Sequence, residues 1–283
     1  MAVEPDKGRG RASSAPCRRN RNRSRAVLKA LWTTKPETAS RLRGRIEAVL
    51  DAAKAQGHRT GENPAAWRGH LFHLLPKRQK LPRRHHAAMA YVKVPALMAK
   101  LRDDNTIGAK ALEFCILTAT RTGEVLGARW YEIDLAANVW TLPADRTKAA
   151  REHRVPLSGR ARAILEELWP MRSSPIIFQS PRGARPLSHV AMAKLLARQS
   201  DDRATVHGFR SSFRDWVGNE THFPREVAEA ALAHVIGDKS EQAYRRSDAL
   251  EKRRKLMNAW AEFCSTDSAS KNAKVVGLRE KIR

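Results

Sequence analysis

The sequence predicts a mainly α-helical protein with one small three-stranded antiparallel β-sheet. Apolar residues recur at three- and four-residue spacing along most of the 283-residue chain, the pattern of helices that bury one face. Between residues 128 and 158 the pattern changes to three short runs, ARWYEIDL, NVWTLP and REHRVPLS, which carry Trp, Val and Ile and are split by turn signals. A hydrophobic content of 42% can supply a real core, in one large domain or two modest ones.

Residues 1–26 are rich in Arg, Ser, Gly and Pro and nearly devoid of large apolar side chains. Burial there cannot offset the entropy of ordering, so a disordered basic tail is expected. From Val27 to about Gln56, Leu42, Ile46, Val49 and Leu50 fall at helical spacing, giving an amphipathic helix that Gly57 stops. A shorter helical segment, NPAAWRGHLFHLL, completes a first unit over residues 27–75. Residues 76–90 are basic and punctuated by proline and read as a linker. The main domain is expected over residues 91–265. VKVPALMAKLR and AKALEFCILTAT are its first two helices, the three strands follow, and helices resume at GRARAILEELW, at SHVAMAKLLARQ, and almost continuously from Gly208 to Phe263. In the last helix Leu250, Leu256, Met257, Trp260 and Phe263 share a face at helical spacing that closes the protein's own core. Residues 266–283 form a polar tail.

The formal charge is +25, from 54 Lys and Arg against 29 Asp and Glu, far more than solubility requires. It points to a polyanion, and to nucleic acid before a membrane surface, because the basic residues are spread over the whole chain. Cys17, Cys115 and Cys264 are odd in number and far apart, which indicates neither a disulfide framework nor a zinc site and suits a reducing cytoplasm. His85 and His86 are adjacent and lack the i, i+4 spacing of a helical ligand pair. No apolar run approaches the length of a membrane span, and the basic N-terminus has no signal-peptide core.

Four short stretches carry candidate chemistry. In HGFRSSFRDWVG, read as a helix, Phe209, Phe213, Trp216 and Val217 fall on one side and His207, Arg210, Ser211 and Arg214 on the other. That second side is either a solvated basic face or a ligand face on which His207 and Arg210 reach one oxygen. In TATRTGEVLGARW, Thr122 can cap a helix with Glu124 in its first turn, and Arg121 just outside it either pairs with Glu124 or meets a ligand. RTKAAREHRVPLS puts Lys148 in the turn between two strands. ALAHVIGDKSEQAYRRSDAL holds His234 and, ten residues on, Tyr244, one of only three tyrosines.

Taken in this order, the pieces resemble the tyrosine recombinase, or phage integrase, family. Arg121 in TRTGE matches the first arginine of the family and Glu124 its associated acid; Lys148 matches the catalytic lysine. His207 and Arg210 in HGFR match the HxxR box, His234 in LAH the second His/Trp position, and Tyr244 in AYRRSD the nucleophile. The resemblance spans roughly residues 27–264 and lies nearest to prophage-type integrases that insert at transfer RNA genes.

The resemblance implies a site-specific recombinase that cuts and rejoins double-stranded DNA through a 3′-phosphotyrosine, with no metal, ATP or other cofactor. Arg121 and Arg210 would neutralise the phosphate, since guanidinium forks match its geometry and stay charged. His207 would take the phenolic proton or order the phosphate, Lys148 would protonate the leaving 5′ oxygen, and His234 would hydrogen-bond the phosphate. Homo-tetramers on DNA, in which the last helix could dock on the next protomer, and accessory DNA-bending or directionality factors would be the partners. The family also begins with an arm-binding domain and a complete core-binding domain, whereas family-like sequence here starts only near Val27. A truncated gene, a mis-set start codon or a prophage remnant that binds its old site without recombining it is therefore an expectation beside the active enzyme. A relative of the type IB topoisomerases, which share the chemistry, is a third.

Overall fold

The computed structural model describes residues 26–77, 87–234 and 248–266. The chain divides into two compact units, Met1–Arg83 and Arg84–Arg283. In the first, the helix expected from Val27 to Gln56 is broken: α1 (26–32) ends in a turn at 33–35, and α2 (Pro36–Ala55) starts anew. Pro36 causes the break, because proline is tolerated at the first helical position but disfavours helical backbone in the residue before it. Gly57 follows in the left-handed conformation, at φ 75°, as the sequence leads one to expect. Leu28, Trp32, Ala39, Leu71 and Leu75 form a small core, with Trp67 stacked on Trp32 at 5.3 Å between ring centroids. Val49, placed on the apolar face by periodicity, is 68% exposed. The stretch expected as a shorter helix is helical only over Phe72–Leu74, with Gly69 at φ 72° interrupting Trp67–Leu71 before it.

The second unit is built around α4 (Ile107–Thr118), which is buried along most of its length. Thr106 caps it by accepting from the Ala109 N–H at 3.2 Å, and Ala119 ends it in a left-handed conformation, at φ 51°. One charged residue sits deep in this helix: Glu113 is satisfied by Arg102 at 3.0 Å and Arg160 at 2.9 Å, as a buried carboxylate must be. Helix α3 (Val94–Asp103) and helix α6 (Gly159–Leu168), capped by Ser158, pack against it. Between α4 and α6 lie the short helix α5 (Thr122–Leu126) and the expected sheet, β1 (Ile133–Asp134), β2 (Val139–Leu142) and β3 (His153–Pro156), antiparallel in the order β1-β2-β3. Trp140 pairs with Val155 and Leu142 with His153 in its register.

A second hairpin, β4 (Gln179–Ser180) with β5 (Gly183–Pro186), falls in QSPRGARP, which has turn residues but no apolar alternation to reveal it. Helix α7 (His189–Gln199) follows under a Ser188 cap. The region expected to be almost continuously helical from Gly208 is interrupted: α8 (Phe209–Glu220) stops, and α9 (Arg225–Ala231) starts behind Pro224. Helix α10 (Leu250–Phe263) closes the unit's own core, where Trp260 packs against Phe213 and Trp216 at 5.5 and 5.0 Å and donates to the Ile116 carbonyl at 2.9 Å. Residues 87–90 lie against the start of α8. Met89 is buried and accepts a hydrogen bond from the Ser212 hydroxyl, and Gly208 touches the Ala87 carbonyl so closely that no side chain fits there. Among the described residues no helix is long and apolar enough to cross a membrane.

Candidate active site

The loop from α4 to α5 brings Arg121 to a cleft. The sequence suggests Thr122 as the cap of α5, but Arg121 itself occupies the cap position. An arginine side chain has no acceptor to offer the helix N-terminus, so Glu124 in the first turn supplies it. One carboxylate oxygen accepts from the Arg121 backbone N–H at 2.8 Å, and the other pairs with its guanidinium at 2.7 Å. Glu124 is only 5% exposed, so this acid both starts the helix and fixes the arginine.

Arg210 is the second residue of α8. Periodicity puts it on the face away from the core, whereas it is 6% exposed, while Phe209, Phe213, Trp216 and Val217 are buried as expected. Two main-chain carbonyls take it in: Nη1 donates to Ala119 and Nη2 to Leu232, each at 2.5 Å. Both carbonyls are at helix ends, one at the left-handed Ala119 and the other where α9 finishes, and neither has a helical partner among the described residues. Burial, and then the charge of Arg121, push Arg210 down from the ordinary 12.5 to about 10, which still leaves it charged at neutral pH.

His234 stands just beyond α9. Its Nδ1 lies 2.6 Å from Glu229 and its Nε2 3.2 Å from the Arg210 guanidinium. The carboxylate partner assigns the Nδ1 proton, so Nε2 faces Arg210. Glu229 is in turn held by Arg214 at 2.7 Å. Burial raises the Glu229 carboxyl, but the hydrogen bonds from Arg214 and His234 outweigh it and leave the group below its ordinary range. Arg214, Glu229, His234 and Arg210 thus form one chain of contacts.

Of the remaining candidates, Lys148 and His207 lie within the described residues. Lys148 is exposed in the β2–β3 turn, as expected, and its neighbours Thr147 and Ala149 line the same cleft of about 430 Å³ as Arg121 and His234. His207 is exposed in a tight turn, Val206–Gly208, ahead of α8 and not within it. Tyr244 falls outside the described residues, as do His85 and His86; the described residues that flank the Tyr244 stretch, His234 and Asp248, both line the cleft.

Three residues at the cleft escaped the sequence reading. Glu229 could have been suspected only from its place five residues before His234. His153 starts β3 and turns into the cleft, with Nε2 buried and unpartnered among the described residues. Burial, with Arg253 next, pushes it down to about 4, so it is neutral at physiological pH. Arg253, on α10, is 1% exposed; it donates to the Arg154 carbonyl, to the Asp248 carbonyl at 2.7 Å and to the Asp248 carboxylate at 2.8 Å. This arginine anchors the start of α10 to β3, and nothing in an apparently polar KRRK run reveals it.

Comparison with known proteins places this cleft within a family. Residues 89–251, which contain every candidate residue, match the model of the phage integrase family, and residues 23–70 match the phage integrase central domain. The chain belongs to the phage integrase family of tyrosine recombinases. It is 36% identical to the prophage integrase IntA of Escherichia coli K12 over 240 residues, covering 83% of this chain and 56% of that protein. The prophage integrase IntZ of the same organism is 31% identical over 240 residues, covering 84% and 58%. The chain therefore spans little more than half the length of these integrases. A lambda integrase (residues 75–356) dimer bound to a core site shares the fold at a TM-score of 0.51 and 18% identity, over 81% of this chain and 80% of that one. A lambda integrase tetramer bound to a Holliday junction gives 0.52 at 18% identity, over 81% and 64%.

Proposed function

We propose that this integrase is a site-specific DNA strand transferase that forms a 3′-phosphotyrosine through Tyr244. The observation that carries the reading is the Arg121–Arg210–His234 group: two guanidiniums held by buried partners beside an imidazole, in a cleft bordered by the Lys148 turn. Fixed cations of this kind stabilise charge that develops on a phosphate in the transition state, and each such donor is worth about 10²–10³ in rate. The scissile phosphate takes hydrogen bonds from Arg121 and Arg210, and from the Nε2–H of His234 in its imidazolium form. Tyr244 attacks phosphorus with loss of its proton to His207, the P–O5′ bond breaks, and Lys148 protonates the 5′ oxygen. The tyrosyl ester retains the bond energy, so the 5′-hydroxyl of a second strand reverses the step without ATP.

The partner is double-stranded DNA, held through its phosphates by the +25 chain. Four copies working on one junction, as in the lambda integrase tetramer, with accessory bending or directionality factors, would carry a prophage or genomic island into and out of the chromosome, in the cytoplasm at the nucleoid. The test uses DNA from the junction beside the gene, labelled on either side of the cut and quenched with SDS. Label 5′ of the cut should migrate with the protein; adduct with the other label, or none while a gel-shift persists, would overturn the reading.

A further inference from the structure

Lys148 has no hydrogen bond or ion pair of its own among the described residues, so its position is set entirely by the turn beneath it. That turn is closed around Thr147, whose hydroxyl donates to Arg151 O at 2.7 Å and accepts from the Arg151 N–H at 3.1 Å. One residue earlier, Arg146 leaves the turn and crosses to the elements that carry Arg121. Its Nη2 donates to the Glu124 carbonyl at 2.8 Å, and its Nη1 pairs with Glu132. Glu132 is 5% exposed and also accepts from Trp140 Nε1 at 3.0 Å and from the Arg129 N–H at 3.2 Å. The crossing needs room at Gly127: a Cβ there would stand 2.7 Å from the Arg146 guanidinium.

We propose that Arg146 is a positioning residue that locks the base of the Lys148 turn to the helix start bearing Arg121 and Glu124, so that proton donor and phosphate clamp keep one fixed separation. The proposal rests on the reading of Lys148 as the acid that protonates the departing 5′ oxygen. Two features favour it over simple stability. The Arg146 guanidinium bonds the same residue, Glu124, that fixes Arg121, and the glycine that admits it lies in the TRTGEVLG stretch itself. A surface hairpin held only for stability would need no contact to that residue.

The experiment compares cleavage of two duplexes that differ at one bridging atom, 5′ oxygen or 5′ sulfur. A thiolate leaves without a proton because a thiol has a pKa of about 8.5, so sulfur bypasses the acid but not the phosphate clamp. General acids contribute about 10²–10⁴, and misplacement by about an ångström costs up to about 10²-fold. Arg146→Met and Gly127→Ala should therefore each cleave the oxygen duplex about 10- to 100-fold more slowly than the parent protein and recover to within a few-fold on sulfur, as Lys148→Ala recovers. Arg210→Met should stay slow on both. Gly127→Ala keeps every polar group and decides the matter if Arg146→Met does not fold. If Lys148→Ala recovers while the Arg146 and Gly127 variants stay slow on sulfur, or cleave oxygen at the parental rate, the positioning role is wrong. If Lys148→Ala itself does not recover on sulfur, the general-acid reading falls and the proposal with it.

Discussion

Replacing Arg210 with methionine should slow catalysis by orders of magnitude while changing stability by no more than about 3 kcal/mol. Burial and Arg121 hold the Arg210 guanidinium near 10 instead of 12.5, so keeping it charged in the fold costs roughly 3 kcal/mol. Methionine, of similar length and without charge, removes that cost. It also strips the Ala119 and Leu232 carbonyls of their donor, and each acceptor left unsatisfied costs about 1–3 kcal/mol. The two effects offset to within about 3 kcal/mol. The loss in strand cleavage is not offset, and a missing donor to the phosphate should lower the rate by about 10²–10³. Urea unfolding and the rate of covalent adduct formation measure the two quantities on the same preparation. A loss of more than about 5 kcal/mol in unfolding free energy would show that the arginine is chiefly structural, and cleavage near the parental rate would show that it does not meet the phosphate.

Glu229→Gln removes the charged acceptor that fixes the His234 ring and the carboxylate that pairs with Arg214; a hydrogen bond to a charged group is worth about 1.5–3 kcal/mol, so adduct formation should slow by roughly 10- to 100-fold with DNA affinity in gel-shifts held within a few-fold. His153 is depressed in the folded protein, so the unfolded chain binds the extra proton: stability is full above about pH 6.5 and falls as the pH drops toward 4. His153→Phe should flatten that slope, by up to roughly 3 kcal/mol, in thermal melts across the window. Gly208→Ala places a Cβ against the Ala87 carbonyl, so its melting temperature should drop by several degrees or the main unit should fail to fold.

The parts of this fold legible in the sequence are those fixed by local periodicity. The α4 stretch AKALEFCILTAT, the three strands and the Lys148 turn emerge where expected because apolar spacing and turn residues determine them directly. Pro36 and Pro224 were visible and nonetheless broke helices that periodicity alone ran together. The site was legible as residue types in order, but not as geometry. Arg210 reads as a surface arginine and becomes a buried one because two helices, distant in sequence, end with their free carbonyls beside it. Glu229, His153, Arg146 and Arg253 acquire their roles from contacts between elements that no spacing rule connects. Their signal in the sequence is only that of charged or polar residues on strands and helices.

The central claim is that Tyr244 becomes the covalent link to DNA. The most direct measurement isolates the SDS-stable adduct, digests both protein and DNA, and locates the nucleotide-bearing peptide by mass spectrometry. The account predicts a phosphodiester on Tyr244, in the peptide that follows His234, and no adduct from Tyr244→Phe at unchanged DNA affinity. A nucleotide on any other residue, or an adduct that survives Tyr244→Phe, would contradict it.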